Sequence, residues 1–140
     1  MFEKTGKIIL SGEEYPIKCD ILVLEKIQEK YGDLSEFEGK IRKFVPDQDE
    51  KGNLIQNEEG LYVGHYEYPD ITAMIDLLYW SVMEGAEIEG KQIEGLDRKT
   101  IMRQIDLSPL ELSEILHKEY TKAFERKNTK TGQNLKTEES

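Results

Sequence analysis

The chain has 140 residues, 37% of them hydrophobic and 34% charged, and 29 acidic against 19 basic side chains give a formal net charge of -10. That length fits one domain with a modest core, and the acidic balance argues against nucleic acid and against anionic membrane surfaces, both of which select a basic face. The one cysteine, Cys19, cannot close an intramolecular disulfide, the first residues lack a signal-peptide core, and no apolar run approaches the ~20 residues of a membrane span, so a cytoplasmic protein is expected.

Two short strands are expected at residues 7–10 and 15–19, joined by the turn that Ser11 and Gly12 begin. Tyr15, Ile17 and Cys19 alternate onto one face, and Pro16 places the second strand at an edge or bulge. Asp20 then caps a helix over 21–31, with Ile21, Leu24, Ile27 and Tyr31 on one side and Gly32 as its stop. A second helix is expected over 35–44, with Leu34, Phe37, Ile41 and Phe44 on its buried face; Gly39 weakens it by about 1 kcal/mol relative to alanine.

From 45 to 68 the helical period is lost. Two apolar scraps, Leu54-Ile55 and Leu61-Tyr62-Val63, stand among Pro46, Gly52, Gly60, Gly64 and Pro69. An inserted loop with a small hairpin fits them, with Tyr62, Tyr66 and Tyr68 covering the edge of the core; no internal repeat is evident. Asp70 next caps the most apolar segment of the chain. Ile71, Met74, Ile75, Leu78, Val82 and Met83 recur at helical spacing, Leu77, Tyr79 and Trp80 widen the stripe, and Gly85 is placed to end it. Only Thr72, Asp76, Ser81 and Glu84 are clearly polar, so this helix is either central to the core or shared with another chain.

An acidic, glycine-punctuated turn over 84–95 leads to a short helix over 96–105, capped by Asp97. The last helix carries a full start signal: Ser108 at the N-cap, Pro109 at N1, Glu111 closing a capping box, and Leu107 stapled to Leu112. It runs to about 126 and buries Leu112, Ile115, Leu116, Tyr120 and Phe124. The expected fold is therefore mainly α (α+β), about five helices and an N-terminal hairpin (1–19) in one domain over 1–126. A flexible polar tail follows over 127–140.

No constellation carries chemistry. Residues 47–58 approximate a calcium loop, with acids at its first, third and twelfth positions and Gly52 at its sixth, but Lys51 occupies a ligand position. A polar hairpin turn around Lys51, Gly52 and Asn53 accounts for the same residues. His65 and His117 lack spaced second ligands, Cys19 ends a strand on its apolar side, and Glu84, Glu87, Glu89 and Glu94 lie in a solvated turn. We expect no catalytic residue, no metal and no cofactor. The residues that suit a partner-binding face are Tyr79, Trp80 and Met83 on the apolar helix, with Tyr120 and Phe124 as a second strip, since methionines and large aromatics favour adaptable docking surfaces. Such faces also allow self-association.

Two stretches carry a resemblance: Gly12 to Asp20 (GEEYPIKCD) running into Leu24 to Gly32 (LEKIQEKYG), and Ile75 to Gly85 (IDLLYWSVMEG) with the polar Lys127-Asn128 end. In pattern and order they resemble the tail assembly chaperones of long-tailed phages and prophages of Gram-positive bacteria. The similarity spans most of the chain, with 45–68 the least similar part. It implies a non-enzymatic protein that binds the tape measure protein in the host cytoplasm, keeps it soluble while tail tube subunits polymerise, and is absent from the finished virion. The competing expectations are a small acidic adaptor or regulatory protein for another polypeptide, and a calcium module through 47–58.

Overall fold

The computed structural model describes residues 4–93 and 95–125. The polar tail expected at 127–140 lies outside the described residues, as does Glu94. Strands β1 (Gly6–Leu10) and β2 (Glu13–Ile17) form an antiparallel hairpin, followed by helices α1 (Ile21–Tyr31) and α2 (Leu34–Ile41). A second antiparallel pair, β3 (Phe44–Pro46) and β4 (Gly64–Tyr66), precedes α3 (Ile71–Glu89), α4 (Arg98–Gln104) and α5 (Pro109–Lys122). The architecture is mixed α+β and mostly helical, with five helices among the described residues.

The starts of the helices follow from local chemistry. Asp20, Asp33, Asp70, Asp97 and Ser108 each sit in extended backbone and accept the amide of the third following residue, satisfying a donor that the helix leaves free. At α5 the box is reciprocal: the Glu111 amide donates to Ser108 Oγ at 3.2 Å, and the Ser108 amide donates to Glu111 Oε1 at 3.0 Å. The β1–β2 turn has positive φ at both Ser11 (50°) and Gly12 (82°), the geometry that matches the twist of a two-residue hairpin.

Helix α3 is the hub. It touches β2, α1, α2, α4 and α5. Its residues Ala73 to Leu78, with Ser81, Val82, Gly85 and Ala86, are buried almost without interruption. Around it pack Ile8, Leu10 and Tyr15 from the hairpin, Val23, Leu24 and Ile27 from α1, Phe37 and Ile41 from α2, Ile101 from α4, and Leu112, Leu116 and Tyr120 from α5. Each such side chain contributes roughly 1.5–3 kcal/mol of transfer free energy when fully removed from water.

Several expectations are corrected. Gly85 does not end α3; the helix continues to Glu89, and Gly90 takes the left-handed cap at φ 68°. Gly85 is needed for another reason. A Cβ there would lie 2.6 Å from both the carbonyl carbon and the oxygen of Pro16, because β2 crosses the helix at that point. One turn earlier the Ser81 carbonyl accepts the Lys18 amide at 3.0 Å, so Ser81 and Gly85 make the notch that seats the hairpin. Helix α2 stops at Ile41, and Phe44 is a half-exposed strand residue instead of a buried helical one. Ile21 is 74% exposed at the first position of α1, where Val23 takes the expected buried role. Asp76 and Ser81, two of the polar residues of this apolar helix, are buried.

Gly85→Ala should lower stability by about 2 kcal/mol, the overpacking range, because the obstacle is backbone and not a flexible side chain. Ser108→Ala should lower it by about 1 kcal/mol through the lost cap. Urea midpoints of the two variants check both, and the larger loss is expected at Gly85.

Candidate partner-binding surfaces

The first candidate face lies on the outer side of α3. Tyr79 and Trp80 are half-buried and rest against the core, and Met83, one turn on, is 45% exposed. The second strip is only half as expected. Tyr120 is buried, its ring between Phe37 (5.7 Å) and Phe124 (5.2 Å) and its hydroxyl donating to the Leu34 carbonyl at 2.9 Å. It is a core residue that forms the floor of a small depression beside Phe124 and offers almost no surface of its own. Phe124, just past the end of α5, is exposed and lies edge-on against Tyr120.

Beside this strip lies a groove that the sequence reading missed. Ile21, Leu22, Leu24 and Leu34 line a depression of about 340 Å³, and Leu34 also borders a neighbouring one of about 200 Å³ that reaches Phe124. The signal was present in Ile21-Leu22, two adjacent apolar residues at a helix start that cannot both share the stripe of Leu24 and Ile27. A third depression, about 440 Å³, lies between β2 and the start and end of α4, where Tyr15 donates to the Gln104 side chain.

The third surface is the segment between β3 and β4. None of residues 42–68 is buried, and none belongs to the core. Its order comes from hydrogen bonds. The Asp47 amide donates to the Val63 carbonyl (2.8 Å), Val63 to Ile55 (2.9 Å), and Ile55 back to Asp47 (3.3 Å), so three chain segments close a ring. These residues are spaced by eight, and the flanking pairs repeat with them: Gln48 opposite Leu54, Gln56 opposite Tyr62, Gly64 opposite Pro46.

The two outer turns are also equivalent. Asp49 Oδ1 accepts the amides of Lys51 and Asn53, and Asn57 Oδ1 accepts those of Glu59 and Leu61. Gly52 and Gly60 take positive φ at 85° and 82°. An eight-residue repeat is therefore present after all, in turn chemistry and pairing. The expected small hairpin is real but multiplied. Tyr62, Tyr66 and Tyr68 do not cover the core; all three are exposed. At the base, Phe44 lies edge-on to Tyr66 and the Arg42 guanidinium stacks on Tyr66 at 3.6 Å.

Titratable groups serve the fold. Asp76 is 4% exposed, and burial alone would raise its pKa. Hydrogen bonds from Lys30 Nζ and the Tyr31 hydroxyl, both 2.7 Å from Oδ2, and the charge of Arg98, whose Nε is 3.2 Å from Oδ1, reverse that and hold it below the usual carboxylate range. A perturbed buried acid is a common mark of catalysis, but here both oxygens are engaged and the carboxylate ties α1, α3 and α4 together. Burial, then the Glu119 and Asp20 carboxylates, push the Cys19 thiol up to about 12, so it remains a thiol. The calcium-loop residues fold as turns with no helix after them, and Asp49 already spends an oxygen on two amides. Among the described residues no three His, Cys, Asp or Glu side chains are grouped to hold a metal. Among the described residues no helix is long and apolar enough to cross a membrane.

Compared with protein-family models, curated proteins and solved structures, the chain matches none.

Asp76→Asn removes the charge while keeping the shape. A loss of about 2 kcal/mol is expected at neutral pH, less than for a fully buried pair because Lys30 and Arg98 are half-exposed. The folded-state pKa is depressed, so this contribution is complete above the ordinary value of 3.8 and disappears as pH falls through the lower folded value. Urea midpoints across a pH series should show a constant gap between the two proteins near neutrality that narrows below about pH 4.

Proposed function

We propose that this chain is a non-enzymatic tail assembly chaperone that binds the tape measure protein in the host cytoplasm and is left out of the finished virion. The observation that carries the proposal is the pair of adjoining depressions that runs from Ile21 and Leu22 past Leu34 to Phe124, apolar at those residues and edged by Glu25, Gln28 and Glu38. A groove of this kind suits an amphipathic helical segment, whose apolar side chains recur on one face. The resemblance of the hairpin–helix opening and of the α3 sequence to such chaperones supplies the class of partner. Met83, with the half-buried Tyr79 and Trp80, offers a second contact.

The acidic surface supports the same reading. At a net charge of -10 the protein repels its own copies and attracts chains with basic stretches, so charge speeds encounter while apolar contacts hold the complex. A holder that releases its client during assembly benefits from contacts that are shallow and separate.

Co-expression with a tape measure protein from a long-tailed phage or prophage of Gram-positive bacteria tests the proposal. The client is expected to become soluble and to co-purify, and Leu22→Ser with Phe124→Ser should return it to the insoluble fraction. A client that stays insoluble with this chain refutes the chaperone role and favours an adaptor for another polypeptide.

A further inference from the structure

The ring built from 44–66 presents a surface separate from the groove. Its three segments pair with one another around the ring, so at its centre no strand edge is left for another strand to join. Whatever binds must lie on a face. Pro46, Leu54 and Tyr62 occupy equivalent positions in the repeat and therefore share one face, since side chains alternate along a strand. Leu54 and Tyr62 are 45% and 52% exposed.

Around this apolar triangle acidic side chains outnumber basic ones. Between Phe44 and Tyr66 there are five acidic residues, Asp47, Asp49, Glu50, Glu58 and Glu59, and one basic residue, Lys51. The acids cluster at the two outer turns, at Asp49-Glu50 and Glu58-Glu59, with Glu50 and Glu58 at equivalent points of the repeat. A second copy of this chain would bring a like-charged rim to the same surface.

We propose that the ring is a docking site for a polypeptide segment that alternates apolar and cationic residues, its apolar side seated on Pro46, Leu54 and Tyr62 and its lysines or arginines against the acidic turns. The inference goes beyond the chaperone reading and does not need it, because it fixes the chemistry of the occupant and not its identity. The ring holds no part of the core, so its surface can change without unfolding the body.

The test uses the full chain and two fluorescein-labelled peptides of about 14 residues, one of leucine and lysine in amphipathic order and one with every lysine replaced by glutamate. The Leu/Lys peptide is expected to bind by anisotropy, and the Leu/Glu peptide about tenfold more weakly or not at all. Leu54→Ser with Tyr62→Ser should weaken the Leu/Lys peptide about tenfold while leaving the circular dichroism spectrum and melting midpoint unchanged. Glu50→Lys with Glu58→Lys, which leaves the apolar triangle in place, should do the same, so a misfolded first variant does not rescue the idea. Ile9→Ser, at an exposed apolar residue of β1 away from the ring and the groove, should bind as the parent does.

Equal binding by the ring variants and the parent overturns the proposal, as does equal binding of the two peptides. A parent dimer that the Leu54/Tyr62 variant converts to monomer overturns it in favour of a second copy as the occupant. If the tape measure protein is made soluble equally by the parent and the ring variants while peptide binding is lost, the ring serves another cationic segment and the chaperone reading stands. If peptide binding behaves as expected and the tape measure protein stays insoluble, the ring proposal stands and the chaperone reading falls.

Discussion

Helix α3 cannot meet water along most of its length, because apolar residues occupy nearly every direction around its axis between Ala73 and Ala86. A helix with a single apolar stripe needs one neighbour; this one needs a cage. The hairpin and α1, α2, α4 and α5 supply it, and their order around α3 follows from where each can reach. Two places on the helix set the geometry of that cage. At Ser81 and Gly85 the side chains are small enough for the β2 backbone to cross, and the Lys18 amide bonds a helix carbonyl there. At Asp76 a carboxylate sits among apolar neighbours and is kept charged by Lys30, Tyr31 and Arg98, which arrive from α1 and α4. The notch fixes how close the hairpin comes, and the ion cluster fixes which faces of α1 and α4 turn inward. A charged cluster of this kind adds little net stability over an apolar replacement, so its contribution lies in specifying the arrangement.

The parts of this fold legible in the sequence are those decided within a few residues. Asp20, Asp70, Asp97 and Ser108 announce helix starts by their own hydrogen-bonding chemistry, and the structure puts each cap where that chemistry requires. The parts that were not legible depend on what approaches from elsewhere in the chain. A glycine near the end of an apolar helix has two local meanings, a left-handed stop or a close approach, and only the position of Pro16 decides that Gly85 is the second. Asp76 looks like surface in a helical wheel because Lys30 and Arg98 are distant in sequence. Tyr120 and Phe124 are spaced by one helical turn and look equivalent, yet α5 ends at Lys122, so only Tyr120 is carried into the core.

The ring between β3 and β4 was hidden for a different reason. Repeats are found most readily when apolar residues recur, and here the recurrence is in turn makers. Asp49 and Asn57 do the same work with different side chains, as do Asn53 and Leu61, which share only the amide they donate. The third unit departs further still. Gly64 stands where Gln48 and Gln56 stand in the others, and a Cβ there would come within 2.3 Å of the Val45 carbonyl oxygen, because this unit must merge with the strands that join the ring to the body. The repeat is thus strict in backbone hydrogen bonding and loose in side-chain identity.

That division between body and ring separates two demands that usually conflict. A surface that binds another chain must leave apolar groups in water, and in a core-packed element this sacrifices stability. Here the core is complete without residues 42–68, so the apolar groups they display take nothing from it. The ring is ordered instead by backbone hydrogen bonds and two side-chain-capped turns, each worth only about 0.5–1.5 kcal/mol net in water. Local opening of the ring therefore costs far less than unfolding the body, the condition under which a recognition element adapts to its partner. The base of the ring is the exception. There the Glu67 amide bonds the Lys43 carbonyl at 2.9 Å and the Asp70 amide bonds Lys40 at 2.8 Å, which brings the chain back beside α2 and sets the start of α3. Those two bonds anchor the base of the ring to the body.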